Sequence, residues 1–256
     1  MNIRWGRVKG KMEAPAVLTK EQVALGNPSF VWRTGQDRRL NLIRRYVRLE
    51  GARVLDIGCG IGTYVRKLGE LADRVYGIDI DTDRVHQGRT GSLAIAVSEE
   101  LPFETAAFDV VLLNEVIEHV RSDRETLEEA CRVVGPGGHI VIYAPNRLYP
   151  FETHGVYIGE RYHVGNIPLV NYLPDPLRNR LVPHARVYTS RGIRKLTADL
   201  PATLVVHTQV YPGFDNIAAR KGKLGRGLRN IFYRLERTPI RAFGLSHFVV
   251  LRKGAA

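Results

Sequence analysis

The chain has 256 residues, of which 44% are hydrophobic and 25% charged, a composition that suits one large domain with insertions. Its net charge of +12 favours acidic partners such as nucleic acid, anionic lipid or a phosphorylated substrate, or else a solvated basic surface. Two cysteines exclude a disulfide framework, and no CxxC pair is available for a thiolate zinc site. No secretory signal or membrane-spanning run is recognisable, so a cytoplasmic location is expected.

Helix and strand patterns alternate along residues 36–145. Residues 1–35 show weak periodicity and are interpreted as an arm or lid. Helices are predicted over 37–50, 63–71, 82–89 and 122–134, and apolar strands over 53–57, 74–80, 93–97, 108–113 and 139–144. This alternation predicts a doubly wound, Rossmann-like α/β fold with a mostly parallel sheet and right-handed crossovers.

The alternation breaks after Pro145 and resumes near residue 189. Residues 145–188 contain six prolines, five tyrosines and three histidines. Because so many aromatic residues argue against disorder, residues 146–188 are predicted to be an inserted substrate cap over the carboxyl ends of the strands. Residues 189–256 then complete the core with a helix and two strands, the last of them antiparallel over 246–253, which makes seven strands in all.

A basic amphipathic segment is predicted over residues 220–241. Its apolar residues recur at helical spacing, and arginine and lysine dominate the remaining positions. Two interpretations are open. The apolar face packs on the domain while the charges are solvated, or the segment makes a peripheral contact with an anionic membrane and brings the site to a lipid-like substrate.

The segment VLDIGCGIG at 54–62 is the most informative part of the sequence. A buried strand ends in a turn with glycines at 58, 60 and 62, whose missing Cβ atoms let the backbone approach a ligand. Asp79 ends the second strand, where a carboxylate can accept the hydroxyls of a ribose. The spacing is G-x-G-x-G rather than the dinucleotide pattern G-x-G-x-x-G, although a nicotinamide enzyme remains a rival interpretation.

Five blocks together resemble the class I S-adenosylmethionine methyltransferases over residues 36–145. They are VLDIGCGIG (54–62), GIDID (77–81), EELPFETAAFDVV (99–111), NEVIEHV (114–120) and RVVGPGGHIVIYAPN (132–146). The resemblance implies S-adenosylmethionine as cofactor and, as the residues that bind it, Asp56, Gly58, Cys59, Gly60, Asp79, Ile80, Ser98, Glu99 and Asn114. Many relatives carry an aspartate where this chain has Val97, so a neighbour such as Ser98 would have to contact the adenine amino group.

The E-x-x-E-H pattern formed by Glu115, Glu118 and His119 is the candidate catalytic segment. On a helix these three side chains would share one face, and two carboxylates with an imidazole can bind a hard cation such as Mg²⁺. The pattern resembles that of metal-dependent ubiquinone-pathway and small-RNA 2′-O-methyltransferases, which add a later histidine. His184 is the best positional match and His154 the second, each also a candidate catalytic base. The alternative is that the Glu-His pair only hydrogen-bonds loop backbone.

The function predicted from these features is S-adenosylmethionine-dependent methylation, with oxygen of a small or lipid-linked molecule as acceptor. RNA ribose 2′-O-methylation is the first alternative, although no separate RNA-binding module is recognisable. The same core also serves C- and N-methyltransferases. A non-catalytic module that binds a membrane or nucleic acid and merely keeps the fold is the alternative outside enzymes. The sequence does not indicate the oligomeric state.

Overall fold

The computed structural model describes Trp32 and residues 34–88 and 91–254. The predicted arm therefore lies, apart from its last few residues, outside the described part of the chain. The strands are β1 (Arg53–Ile57), β2 (Arg74–Asp79), β3 (Leu93–Ile95), β4 (Phe108–Asn114), β5 (Val134–Pro145), β6 (Phe151–Glu152), β7 (Val156–Ile158), β8 (Arg161–His163), β9 (Ile167–Pro168), β10 (Ala202–Val210) and β11 (Ser246–Lys253). The helices are α1 (Thr34–Ile43), α2 (Thr63–Leu68), α3 (Thr82–Gly88), α4 (Asp123–Val133), α5 (Asp175–Leu181), α6 (Ser190–Thr197) and α7 (Asp215–Leu235), with 3₁₀ turns at Val170–Tyr172 and Pro239–Phe243.

Seven strands form one sheet in the order β10-β11-β5-β4-β1-β2-β3. Only β11 runs antiparallel to its neighbours β5 and β10, whereas the pairs among β1–β5 are parallel. The predicted seven-stranded, mostly parallel sheet with an antiparallel last strand is thus confirmed. The carboxyl ends of β1, β2 and β4 meet at one edge, where a doubly wound sheet binds its ligands.

The hydrophobic core has two layers, one on each face of the sheet, and β4 and β5 contribute to both. β4 and β5 are buried on both faces, as expected for strands covered by helices on either side. Helix α4 begins where predicted, because the Ser122 side chain accepts a hydrogen bond from the Glu125 amide at 3.2 Å. Helix α1 ends at Ile43 rather than at the predicted residue 50. The basic residues that follow, Arg44, Arg45 and Arg48, place like charges on successive turns.

The segment between β5 and α6, called the insertion below (146–188), folds into two small two-stranded sheets, one 3₁₀ turn and α5. It has a small core of its own, made of Val156, Val170, Val182 and Ala185. Its last residues hold it against the loop after β4: the Arg186 amide donates to the Glu118 carbonyl at 3.0 Å, and the Tyr188 hydroxyl donates to the Ile117 carbonyl at 2.9 Å. The insertion therefore covers the carboxyl end of β4.

Helix α7 connects β10 to β11 and kinks at Gly222. Its inner side packs Phe232 against Tyr211 and Phe214, with ring centroids 5.0 Å apart in each pair. It also meets α1, where Arg38 lies 3.7 Å over the Tyr233 ring and pairs with Glu236. None of the helices in the described part of the chain is both long and apolar enough to cross a membrane.

Candidate active site

The glycine-rich loop leaves the sheet at the carboxyl end of β1. Gly58, Gly60 and Gly62 have φ of 70°, 54° and 75°, in a region that residues with a side chain rarely adopt. A Cβ atom on Gly58 would also lie 2.5 Å from Cγ2 of Val116, in the loop after β4. The loop can therefore hold this path only with glycine at position 58, and its backbone is open to a ligand.

Gly58→Ala is expected to lower the free energy of unfolding by about 1–3 kcal/mol, because alanine is strained at positive φ and meets Val116. Urea unfolding measures the effect. Gly91→Ala is the matched control, since a Cβ there meets nothing within 4 Å and its φ is ordinary. Equal stability of the two variants would show that the loop has more freedom than its geometry indicates.

Asp79 lies against this loop at the end of β2 and is only 8% exposed. One carboxylate oxygen accepts the Gly60 amide at 2.7 Å and the other accepts the Asp81 amide at 2.8 Å. Each oxygen keeps a further lone pair, so the carboxylate can accept ribose hydroxyls as the sequence predicts. The next residue, Ile80, is 62% exposed and offers an apolar surface beside the cleft.

Asp56 and Cys59 lie behind the loop. Burial, and then the neighbouring Asp79 carboxylate, raises the pKa of Asp56 well above its usual value. Burial, and then both carboxylates, likewise raises the pKa of Cys59. Cys59 is therefore a neutral thiol at physiological pH and is unsuited to act as a nucleophile.

The side chains of Ser98 and Glu99 face the protein rather than the cleft. The Ser98 hydroxyl shares a 2.9 Å hydrogen bond with the Thr126 hydroxyl. A Glu99 carboxylate oxygen accepts the amides of Arg121 and Ser122 at 2.9 and 3.2 Å. The Ser98 hydroxyl is thus already engaged within the protein, and its contact with an adenine amino group stays a prediction.

Arg39 joins the site from α1, and the sequence did not single it out. Its guanidinium donates to the Asn114 side-chain oxygen at 2.7 Å and to the Glu115 carboxylate at 2.6 Å. It also lies 4.6 Å over the Tyr143 ring. Burial raises the pKa of Glu115, but Arg39 and the Ser246 hydroxyl outweigh that effect and lower it. Glu115 is therefore an ionised carboxylate held by Arg39.

Residues 115–119 form a turn and not a helix, so the three side chains of the E-x-x-E-H pattern do not share one face. Glu115 has φ 58°, which turns its side chain toward Arg39. The structure instead brings Glu118 and His119 together with His154 of the insertion, with one potential ligand atom from each within 4.8 Å of the others. We call these three residues, Glu118, His119 and His154, the Glu118 cluster. His184 lies behind the cluster and is not part of it.

Both imidazoles of the Glu118 cluster are fixed through Nδ1. His119 Nδ1 is 2.9 Å from the His184 carbonyl, and His154 Nδ1 is 2.8 Å from the Glu152 carboxylate. Since the His184 carbonyl requires a proton on Nδ1 of His119, Nε2 of that ring carries a lone pair when the ring is neutral. Burial, and then the charge of His154, lowers the pKa of His119 to about 4, so this ring is neutral at pH 7.

Glu118 is only 2% exposed, and neither carboxylate oxygen has a hydrogen-bond partner among the described residues. Burial, and then the Glu115 charge, raises its pKa well above the usual value. An unpaired buried carboxylate is costly and is usually protonated or matched by a cation. Glu118 is therefore poised to take up a proton or a cation.

A buried ion pair in the insertion positions His154. Arg178 is 1% exposed and donates to the Glu152 carboxylate at 2.7 Å and to the Ala185 carbonyl at 2.7 Å. Burial raises the pKa of Glu152, but His154 and Arg178 outweigh this and lower it to about 2. The sequence did not single out either residue of the pair, because the two are far apart in a stretch without periodicity.

His184, the preferred later histidine of the sequence interpretation, contacts the backbone of the cluster. Its Nε2 is 3.0 Å from the His154 carbonyl, which also accepts the Tyr162 hydroxyl. Its Nδ1 is buried without a partner in the described part of the chain, and burial lowers its pKa. His184 thus supports the loop that carries His154.

Comparison with known proteins agrees with this geometry. Residues 55–142 match the family described as "Methyltransferase domain". The ubiquinone biosynthesis O-methyltransferase of Burkholderia thailandensis is 35% identical over 118 residues, which cover 43% of this chain and 51% of that protein. The enzyme of the same name from Maricaulis maris is 39% identical over 128 residues, 46% of this chain and 50% of that one. The chain thus spans about half the length of these curated relatives.

Solved structures extend the likeness to most of the chain. An S-adenosylmethionine-dependent methyltransferase from Mesorhizobium loti superposes with a TM-score of 0.58 at 17% identity, covering 84% of this chain and 96% of that one. At this identity the likeness shows the fold. Residues 55–142 therefore match a methyltransferase domain, and the chain has the fold of S-adenosylmethionine-dependent methyltransferases.

Proposed function

We propose that this protein transfers a methyl group from S-adenosylmethionine to a hydroxyl oxygen of an acceptor bound under the insertion. One observation carries the proposal. The turn that bears Glu118 and His119 touches the glycine-rich loop, since Cγ2 of Val116 lies only 2.5 Å from where a Cβ of Gly58 would be. Side chains that can accept a proton from the acceptor hydroxyl therefore lie on a turn that contacts the glycine-rich loop. The sequence resemblance assigns the methyl donor to that loop.

Methyl transfer from a sulfonium requires little covalent catalysis by the protein. The sulfonium is a good leaving group, so the enzyme has to align the acceptor oxygen with the S–CH₃ bond and exclude water. The acceptor hydroxyl must also lose its proton. A neutral imidazole with a free Nε2, as in His119, is a suitable general base, and the buried Glu118 carboxylate can share the proton.

The Glu118 cluster also fits a divalent cation. Its orphaned carboxylate oxygens and two imidazoles held through Nδ1 match how proteins prepare metal ligands. Two nitrogen donors suit Mn²⁺ or Zn²⁺ better than the Mg²⁺ expected from the sequence. Such an ion would act as a Lewis acid that lowers the pKa of the acceptor hydroxyl. Calorimetric titration of each ion, and its loss in Glu118→Gln, tests this without reference to turnover. Absence of binding, with full activity in excess EDTA, would exclude the cation.

The curated relatives support a specific class of acceptor. Their names place them in ubiquinone biosynthesis, so we propose a hydroxyl of a lipid-linked quinone precursor as the first acceptor to try. A small aromatic hydroxyl without the lipid is the simpler variant of the same proposal. Mass spectrometry of the product with methyl-labelled donor identifies both the acceptor and the methylated atom.

Asp79→Ala is expected to weaken S-adenosylmethionine binding about 100-fold, because two hydrogen bonds to a charged acceptor are lost. Calorimetry with S-adenosylmethionine and S-adenosylhomocysteine measures this, with NAD as competitor for the nicotinamide rival. Asp81→Asn is the matched control, since that carboxylate accepts the backbone amides of 83 and 84 and forms an ion pair with Arg84 at 3.2 Å. Unchanged affinity of Asp79→Ala would remove the ribose assignment.

RNA ribose methylation is a second candidate, favoured by the net charge of +12. This candidate predicts methyl transfer to an RNA oligonucleotide, at a rate that falls steeply as the salt concentration rises. Transfer to carbon or nitrogen would appear in the same product analysis. A module without activity would fail to bind S-adenosylmethionine at all.

A further inference from the structure

One face of α7 beyond its kink is apolar and turned to solvent. Leu224, Leu228, Ile231 and Leu235 form this face, which we call the apolar stripe. The first three are 75%, 38% and 54% exposed. Their spacing of i, i+4, i+7 and i+11 aligns them along one side of a helix. The interpretation in which the apolar residues of this segment pack on the domain is therefore wrong for Leu224, Leu228 and Ile231.

The domain is held by a different side of the same helix. Phe232 and Tyr233 face the protein, where they pack on Tyr211 and beneath Arg38. At about 100° per residue, the stripe lies roughly a fifth of a turn from Phe232 and roughly half a turn from Tyr233. The packing that fixes α7 thus leaves the stripe uncovered by the described residues.

Positive charge borders the stripe. Lys223 and Arg234 lie on its flank, and neither has an ion-pair partner in the described part of the chain. The acidic groups of this region are turned inward, since Glu236 binds Arg38 and Asp215 accepts the Gly35 amide. The outer surface of α7 is therefore apolar along one line and basic beside it.

The helix also lies at the ligand-binding edge of the sheet. It begins after Val210 and returns to Ser246, and these two residues are paired partners at one edge. Ser246 pairs with Pro145 at the carboxyl end of β5, the edge that carries the glycine-rich loop and Asn114. Whatever covers the stripe is placed on the same side of the molecule as the candidate active site.

We propose that the apolar stripe and its basic flank dock on the surface of an anionic lipid bilayer. The stripe would enter the boundary between headgroups and acyl chains, and Lys223 and Arg234 would lie among the anionic headgroups. Charge complementarity selects this occupant. A second copy would bring like charges together, and a nucleic acid would leave the leucines facing phosphate. The binding claim stands independently of methyl transfer.

Flotation of the full chain with lipid vesicles tests the proposal. Wild-type protein is expected to float with phosphatidylcholine vesicles that contain phosphatidylglycerol and not with phosphatidylcholine alone. Leu224→Gln/Ile231→Gln is expected to weaken the partition coefficient about tenfold or more, through loss of buried apolar area. Lys223→Gln/Arg234→Gln is expected to weaken it by a similar factor at low salt and less at high salt.

Leu204→Gln/Val205→Gln is the matched control, because these residues of β10 are 48% and 44% exposed and equally apolar. It is expected to float like wild type, and circular dichroism checks that all variants are folded. Flotation of the stripe variant at wild-type strength would overturn the proposal. So would a dimer in light scattering that the stripe substitutions dissociate, or binding of an RNA oligonucleotide without binding of vesicles.

Discussion

Glu118→Gln is expected to lower kcat for methyl transfer about 10²–10⁴-fold, the range typical for loss of a group that handles a proton. The amide has nearly the shape of the carboxylate but neither accepts a proton nor binds a cation with charge. Because the glycine-rich loop and Asp79 are untouched, affinity for S-adenosylmethionine should stay at the wild-type value. Steady-state kinetics and calorimetry on the same preparation separate the two effects.

The same substitution is expected to leave the thermal unfolding midpoint unchanged or higher. Glu118 is buried without a hydrogen-bond partner among the described residues, which lowers the stability of the fold. A neutral side chain removes this free-energy cost, and a costly group of this kind is typical of a functional site. Glu125→Gln is the control, an exposed carboxylate on α4 outside the site. Activity of Glu118→Gln within a few-fold of wild type would mean that the cluster has no part in the reaction.

Arg178→Met is expected to lower the free energy of unfolding by about 3–5 kcal/mol, the cost of leaving one member of a buried ion pair alone. The Glu152 carboxylate would remain buried with only His154 as partner. Since His154 takes its orientation from Glu152, turnover should fall as well, while binding of S-adenosylmethionine should not. Urea unfolding monitored by circular dichroism measures the main effect.

A double-variant cycle shows whether the loss comes from the pair. Arg178→Met/Glu152→Gln should recover much of the stability, because no charge is then left buried. Arg180→Met, an exposed arginine of the same helix, should change stability by less than about 0.5 kcal/mol. Strictly additive effects of the two substitutions would show that Arg178 and Glu152 do not act as a pair.

The sheet was predictable because its strands are short apolar runs bounded by turns, a pattern written locally in the sequence. The glycine-rich loop and Asp79 were predictable for a related reason. They sit at strand ends, and parallel strands bring their carboxyl ends to one edge whatever the rest of the chain does. Helix α1 was predicted too long, because periodicity alone does not register repulsion among Arg44, Arg45 and Arg48.

The catalytic side was less predictable because it depends on contacts between distant segments. The E-x-x-E-H pattern drew attention to the right loop, but a helix was the wrong geometry, since Glu115 adopts φ 58°. His154 meets Glu118 only through the folding of the insertion. Arg39 could not be distinguished from the other arginines of α1 by sequence, because its partners Asn114 and Glu115 are distant along the chain.

Neighbouring side chains of α1 hold two different parts of the molecule. Arg38 binds Glu236 and Tyr233 of the α7 region, and Arg39 binds Asn114 and Glu115 beside the cleft. A short helix cannot move one of these two arginines without moving the other. A displacement of α1 would therefore disturb the contacts with the α7 region and those beside the cleft together.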